Sequence, residues 1–105
     1  MVRGEVFRLR LPRATRGSEQ RGARYAVIVQ ADELLALSTV LVSPTSTAAP
    51  ARSFRPTIEV GEEPTRVLVE QTTAISPERL GDSVGRLSAT ELRELDEALR
   101  VVFGL

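Results

Sequence analysis

Up to residue 87 no apolar run in this chain is longer than the five residues Tyr25-Ala26-Val27-Ile28-Val29, and polar residues, charge, proline or glycine interrupt each one. Runs this short suit strands and are far below the ~20 residues of a membrane span. Glu5-Val6-Phe7-Arg8-Leu9-Arg10-Leu11 alternates with period two until Pro12, Thr39-Val40-Leu41-Val42-Ser43 until Pro44, and Thr57-Ile58-Glu59-Val60 and Arg66-Val67-Leu68-Val69-Glu70 flank a Gly61–Pro64 turn. That spacing predicts two antiparallel neighbours. Asp32–Ala36 reads as a helical turn, Ser76-Pro77 as the start of a brief helix ending at Gly81, and Val84–Leu87 as a further strand.

The pattern changes at Ser88-Ala89-Thr90-Glu91, a capping box in which the Ser88 hydroxyl and the Glu91 carboxylate each satisfy a free backbone N–H. Leu92, Leu95, Leu99 and Val102 then recur at helical spacing, with Arg93, Glu94, Glu97 and Arg100 on the other face. Short strands closed by one amphipathic helix predict an α+β, mainly β fold: a small barrel of curved antiparallel strands plugged by a C-terminal helix. A length of 105 residues fits a single domain spanning 1–105. The opening Met1-Val2-Arg3-Gly4-Glu5 has no apolar signal core, so a cytoplasmic location with no membrane attachment is expected.

Charge is divided unevenly along the chain. Residues 1–55 hold nine arginines and four acids, whereas residues 56–105 hold five arginines and ten acids. Seven arginines fall within residues 1–24, and there is no lysine. A guanidinium grips phosphate through paired hydrogen bonds, so this N-terminal cluster suits a polyanion, although a bias toward arginine codons also raises the total. The run Gly17-Ser18-Glu19-Gln20-Arg21-Gly22-Ala23-Arg24 ends a loop of about twelve residues and feeds a strand. It brings an acid, an amide and two guanidiniums to that strand's entrance.

Histidine and cysteine are absent, which removes imidazole acid–base catalysis and the usual zinc sites; no metal or cofactor is expected. The simplest phosphodiester chemistry left is attack by RNA's own 2′-hydroxyl, which needs no activated water. The protein then has to align the backbone and stabilise phosphoryl charge. Arg24 and a hydroxyl from Thr45-Ser46-Thr47 fit that work; an ordinary surface arginine and a polar turn after Pro44 fit the same residues.

Four segments together resemble the MazF/PemK family of toxin endoribonucleases. They are Arg3-Gly4-Glu5-Val6-Phe7; Gly17-Ser18-Glu19-Gln20 followed by Arg24 and a strand ending at Gln30; Val42-Ser43-Pro44-Thr45-Ser46-Thr47; and Val67-Leu68-Val69-Glu70-Gln71 with the C-terminal segments beyond it. The resemblance implies an SH3-like barrel of the CcdB/PemK type, a homodimer and a MazE-like cognate antitoxin. It further implies metal-independent cleavage of single-stranded RNA to 2′,3′-cyclic phosphate and 5′-hydroxyl ends.

Carried across on the matching positions, Arg24 falls on the family's catalytic arginine, and Ser46 stands where the family usually has threonine. Tyr25 replaces the usual proline; its ring can stack on a base or pack in the core. Thr47 offers a second hydroxyl should the loop register shift by one. A guanidinium is a poor base, so Arg24 suits charge stabilisation and protonation of the leaving 5′-oxygen. Glu19 suits either acceptance of the 2′-hydroxyl proton or a salt bridge that orders the loop. Gln20, Arg21, Tyr25, Thr45, Thr47 and Gln71 are the expected substrate contacts, with Gln71 alternatively satisfying backbone groups. Two other functions stay open. One is a CcdB-like gyrase inhibitor, suggested by the tail Phe103-Gly104-Leu105, in which Phe103 otherwise completes the helix stripe before Gly104 stops it. The other is a catalytically impaired RNA-binding relative.

Overall fold

The computed structural model describes residues 1–10 and 24–105. The alternating segments form β1 (Glu5–Leu9), β2 (Tyr25–Ile28), β3 (Val40–Ser46), β4 (Thr57–Val60), β5 (Glu63–Val67), β6 (Thr73–Ile75) and β7 (Leu80–Arg86), followed by α1 (Ala89–Phe103). All pairings are antiparallel, in the order β4-β5-β3-β2-β1-β7, with β6 against β3. The result is a curled half-barrel with one C-terminal helix, as the short-strand pattern predicts.

Both faces of the central strands are buried, which explains why β2 is continuously apolar rather than alternating. On one face Val6, Val27, Ile58, Val67 and Val69 pack against Leu95 and Ala98 of α1. On the other, Ala26, Ile28, Val40, Val42, Ile75 and Leu80 enclose a second cluster. The helix is held by its capping box: Ser88 Oγ accepts from Glu91 N–H at 3.1 Å, and Glu91 accepts from Ser88 N–H at 2.8 Å. The second oxygen of Glu91 accepts the Glu59 N–H at 3.0 Å and so ties the helix start to β4. Gly104 ends the helix at φ 72°, a left-handed turn that costs glycine little.

Besides β6, which the sequence does not announce, four details differ from the sequence expectation. Pro44 does not end β3. Its carbonyl accepts from Leu68 N–H at 2.8 Å, so its missing donor faces the gap between β6, which pairs residues 40–42, and β5, which pairs residues 45–46. Thr45 and Ser46 therefore stand in a strand rather than a loop. Second, β5 starts early, because Gly61 and Glu62 both take positive φ (57° and 72°) and close a two-residue hairpin that pairs Val60 with Glu63. Val69–Gln71 is then a 3₁₀ turn. Third, the Ser76-Pro77 signal opens only the 3₁₀ turn Pro77–Arg79, and Gly81 lies inside β7. Fourth, Phe103 is 59% exposed and stays out of the core, as do Val101 and Leu105.

Candidate nucleic-acid interface

The antiparallel register of β2 and β3 pairs Ala26 with Pro44. Continued by two residues, it sets Arg24 opposite Ser46, on one face of the sheet. A hydrogen bond from Thr45 Oγ1 to the Tyr25 carbonyl (3.2 Å) carries the strand pair to within one residue of that point. Arg24 itself is fixed through its backbone, whose carbonyl accepts from Leu9 N–H at 2.8 Å. Its guanidinium makes no hydrogen bond or ion pair with another described residue.

Ser46 is prepared as a donor. Its Oγ accepts from the N–H groups of Ala48 (3.2 Å) and Ala49 (3.1 Å), which occupies its lone pairs and leaves the hydroxyl proton to give. Those two bonds also fix the side chain, a task that the missing methyl of threonine would otherwise share. The segment after Ser46 is clamped from its far side. Arg55 donates through Nε (3.1 Å) and Nη2 (2.6 Å) to Glu70 and through Nη1 to the Pro50 carbonyl (3.2 Å). The Arg55 hydrogen bond holds the Glu70 carboxyl below its ordinary range, with Gln71 adding a smaller lowering.

The other expected contacts divide four ways. Thr45 is buried and its hydroxyl is spent on Tyr25, so its part is to hold the strands together rather than to face a ligand. Tyr25 packs partly against the helix-side core, with the Arg8 guanidinium 5.4 Å from its ring centre. That places it as a supported ring under a cation rather than a freely exposed stacking platform. Thr47 is exposed, and exposed Gln71 ends the 3₁₀ turn bound to β3 at Pro44. Ser43 and Thr72 pair at 2.7 Å beside it. Glu19, Gln20 and Arg21 lie outside the described residues.

Further arginines gather at the same strand ends; from the sequence, Arg8 and Arg10 belong to the N-terminal cluster suited to a polyanion, whereas Arg66 and Arg79 had no part in the expected site. Arg8 and Arg10 close β1, Arg79 precedes β7, and Arg66 on β5 pairs directly with Ser46. A charged residue opening the run Arg66-Val67-Leu68-Val69 was the available signal for Arg66, since it stands on the face opposite buried Val67. Among the described residues no cluster of three or more His, Cys, Asp or Glu is arranged to hold a metal ion, and no helix is long and apolar enough to cross a membrane.

Residues 2–103 match the family model described as PemK-like, MazF-like toxin of type II toxin-antitoxin systems. The chain belongs to that family. A toxin candidate of Mycobacterium tuberculosis is 39% identical over 106 residues, covering 100% of this chain and 99% of that protein. The endoribonuclease MazF9 of the same organism is 37% identical, with 96% and 94% covered. Two solved PemK/MazF-type folds agree in shape. A mycobacterial endoribonuclease in complex with its cognate antitoxin superposes with a TM-score of 0.81 at 19% identity, covering 100% of this chain and 96% of the other. The Mycobacterium tuberculosis toxin MazF-mt6 superposes at 0.77 with 22% identity, covering 96% and 97%. The PemK/MazF match over nearly the whole chain does not favour the gyrase-inhibitor alternative drawn from Phe103-Gly104-Leu105, and at these residues Gly104 acts as a helix stop.

Proposed function

We propose that this toxin is a metal-independent, sequence-selective endoribonuclease acting on single-stranded RNA. The observation that carries the reading is the β2–β3 register, which ends at Ala26–Pro44 and, extended by two residues, brings Arg24 level with Ser46, whose Oγ is free to donate. The family relationship to a named endoribonuclease supports it.

In the proposed step the RNA 2′-oxygen attacks the adjacent phosphorus, and the bond from phosphorus to the 5′-oxygen breaks. Glu19 accepts the 2′-hydroxyl proton. Arg24 and the Ser46 hydroxyl stabilise the phosphoryl charge, and the Arg24 guanidinium gives a proton to the departing 5′-oxygen and regains one from solvent, to which Glu19 loses the proton it took. The products are a 2′,3′-cyclic phosphate and a 5′-hydroxyl. Gln20, Arg21, Tyr25, Thr47 and Gln71 contact the flanking nucleotides, while Thr45 positions the strand pair. No metal or cofactor enters this scheme, and the whole of residues 1–105 acts as one catalytic domain.

The same reading gives the toxin a MazE-like antitoxin and a homodimeric state. Exposed Leu41, Val101, Phe103 and Leu105 supply apolar surface for association, and the open arginines attract an acidic antitoxin segment as well as RNA. The test is to incubate the folded protein with mixed-sequence RNA in EDTA and to map new ends. Cyclic-phosphate ends at recurring sequences are the expected result. Bound but intact RNA at high protein concentration would overturn the nuclease reading and leave an RNA-binding relative.

A further inference from the structure

Arg66 is the residue whose surroundings the Arg24–Ser46 reading leaves unexplained. It stands on β5 directly opposite Ser46, and its other neighbour is Thr57 on β4. The recorded pairs Ser46–Arg66 and Arg66–Thr57 form one cross-strand row, and the β2–β3 register extended two residues past Ala26–Pro44 adds Arg24 to the same face. In that row Ser46 stands between two arginine positions.

The chemistry of Arg66 differs from that of the arginines that hold the fold. Arg3, Arg55 and Arg100 each meet a carboxylate within 3.3 Å. Arg66 meets none among the described residues, and its Nε is buried without a hydrogen-bond partner. Leaving a buried charged donor unpaired is costly, and an anion with two oxygens in the guanidinium plane satisfies Nε and a terminal nitrogen together. A phosphodiester oxygen pair has that shape, and the neighbouring Ser46 proton is already available to the same backbone.

We propose that Arg66 binds an RNA phosphate next to the one held between Arg24 and Ser46, and so sets the direction in which the strand crosses the sheet. This assignment rests on the nuclease reading for the identity of the strand. Arg66 is on this view a substrate-positioning residue, acting on affinity more than on the chemical step.

The test measures binding of a mixed-sequence 2′-O-methyl RNA oligonucleotide, which lacks the free 2′-hydroxyl needed for cleavage. Arg66→Met should weaken binding about tenfold. It should also lower the slope of log affinity against log salt by about 0.7, one phosphate contact to a single strand. Arg66→Lys should keep the slope, and the melting temperature should change little in either variant. Unaltered affinity and slope in Arg66→Met would overturn the proposal. If that variant does not fold, the unsubstituted protein decides: the oligonucleotide should protect Arg66 from phenylglyoxal, and absence of protection overturns the assignment. Arg66-dependent binding in a protein that yields no cyclic-phosphate ends would support this site and fault only the nuclease reading. Intact cleavage with Arg66-independent binding would fault this proposal alone.

Discussion

The two ends of the strands use charge in opposite ways. At the end where β1 and β7 meet the chain's first residues, Arg3, Glu5, Asp32 and Asp96 are all partnered, while Arg86, in register with Glu5, makes no ion pair among the described residues. Arg3 donates to the Val29 carbonyl (3.0 Å) and to Asp96 (2.8 Å), Asp32 accepts from the Arg3 N–H (2.7 Å), and Glu5 accepts from Ser83 Oγ (2.6 Å) and Val2 N–H (3.1 Å). The Ser83 hydrogen bond holds the Glu5 carboxyl below its ordinary range. At the end formed by the close of β1 and β3 and the start of β2, the guanidiniums of Arg8, Arg10, Arg24 and Arg66 have no carboxylate partner among the described residues. Paired charge fastens the N-terminal segment and the helix to the sheet. Open charge holds a field for an anion that arrives from outside.

The difference is broken most directly at Arg24. Arg24→Ala should lower RNA cleavage by about 10³-fold or more, as expected for a main charge-stabilising group, with little change in thermal stability. Cleavage near the unsubstituted rate would place the chemistry elsewhere. Ser46→Ala comes next, with a loss of about 10²-fold in kcat for a single hydroxyl donor. Because Ser46 also accepts from Ala48 and Ala49, this variant should loosen the following loop, seen as faster amide exchange there. Unchanged kcat with faster exchange would make Ser46 a loop brace only.

How far these contrasts were legible in the sequence depends on how local the signal was. The helix was fully legible, because a capping box and a left-handed glycine act within a few residues. Arg24 and Ser46 were singled out by resemblance and by residue type, whereas their proposed opposition depends on β2–β3 register. The path of β3 through Pro44 was hidden, since a proline reads as a stop until the neighbouring edge is known to need no donor there. Arg66 was missed for a related reason: its charge at the start of the run marked it as facing away from the core, but its place beside Ser46 is set by pairing between strands about 20 residues apart. Phe103 was misjudged because helical spacing gives a direction and not the distance to which the core extends.

The paired end should respond in the opposite sense. Arg3→Met removes the ion pair to Asp96 and the bond to Val29, and should cost about 1 to 2 kcal/mol of stability, discounted for partial exposure. Thermal unfolding reads this as a drop of several degrees, while kcat on RNA stays within about twofold of the parent. A large loss of kcat at full folding would join the two ends functionally and dissolve the distinction.

The smallest effect lies at Arg55–Glu70, the one carboxylate clamp near the open end among the described residues. The Glu70 carboxyl is held below its ordinary value of 4.5 in the folded chain, chiefly by the hydrogen bond from Arg55. Its contribution to stability is therefore complete above the ordinary carboxylate range and is lost as pH falls through the lowered folded value. Glu70→Gln should remove that contribution near neutrality and flatten the acid limb of a stability–pH curve measured by denaturant unfolding. Since Arg55 also holds the Pro50 carbonyl, the same variant should speed amide exchange between residues 47 and 56. An acid limb as steep as the parent's would show that Arg55 stabilises the segment through Pro50 alone. In that case the open end would hold its loop without using a carboxylate at all, and the contrast with the paired end would be sharper than the ion-pair geometry suggests.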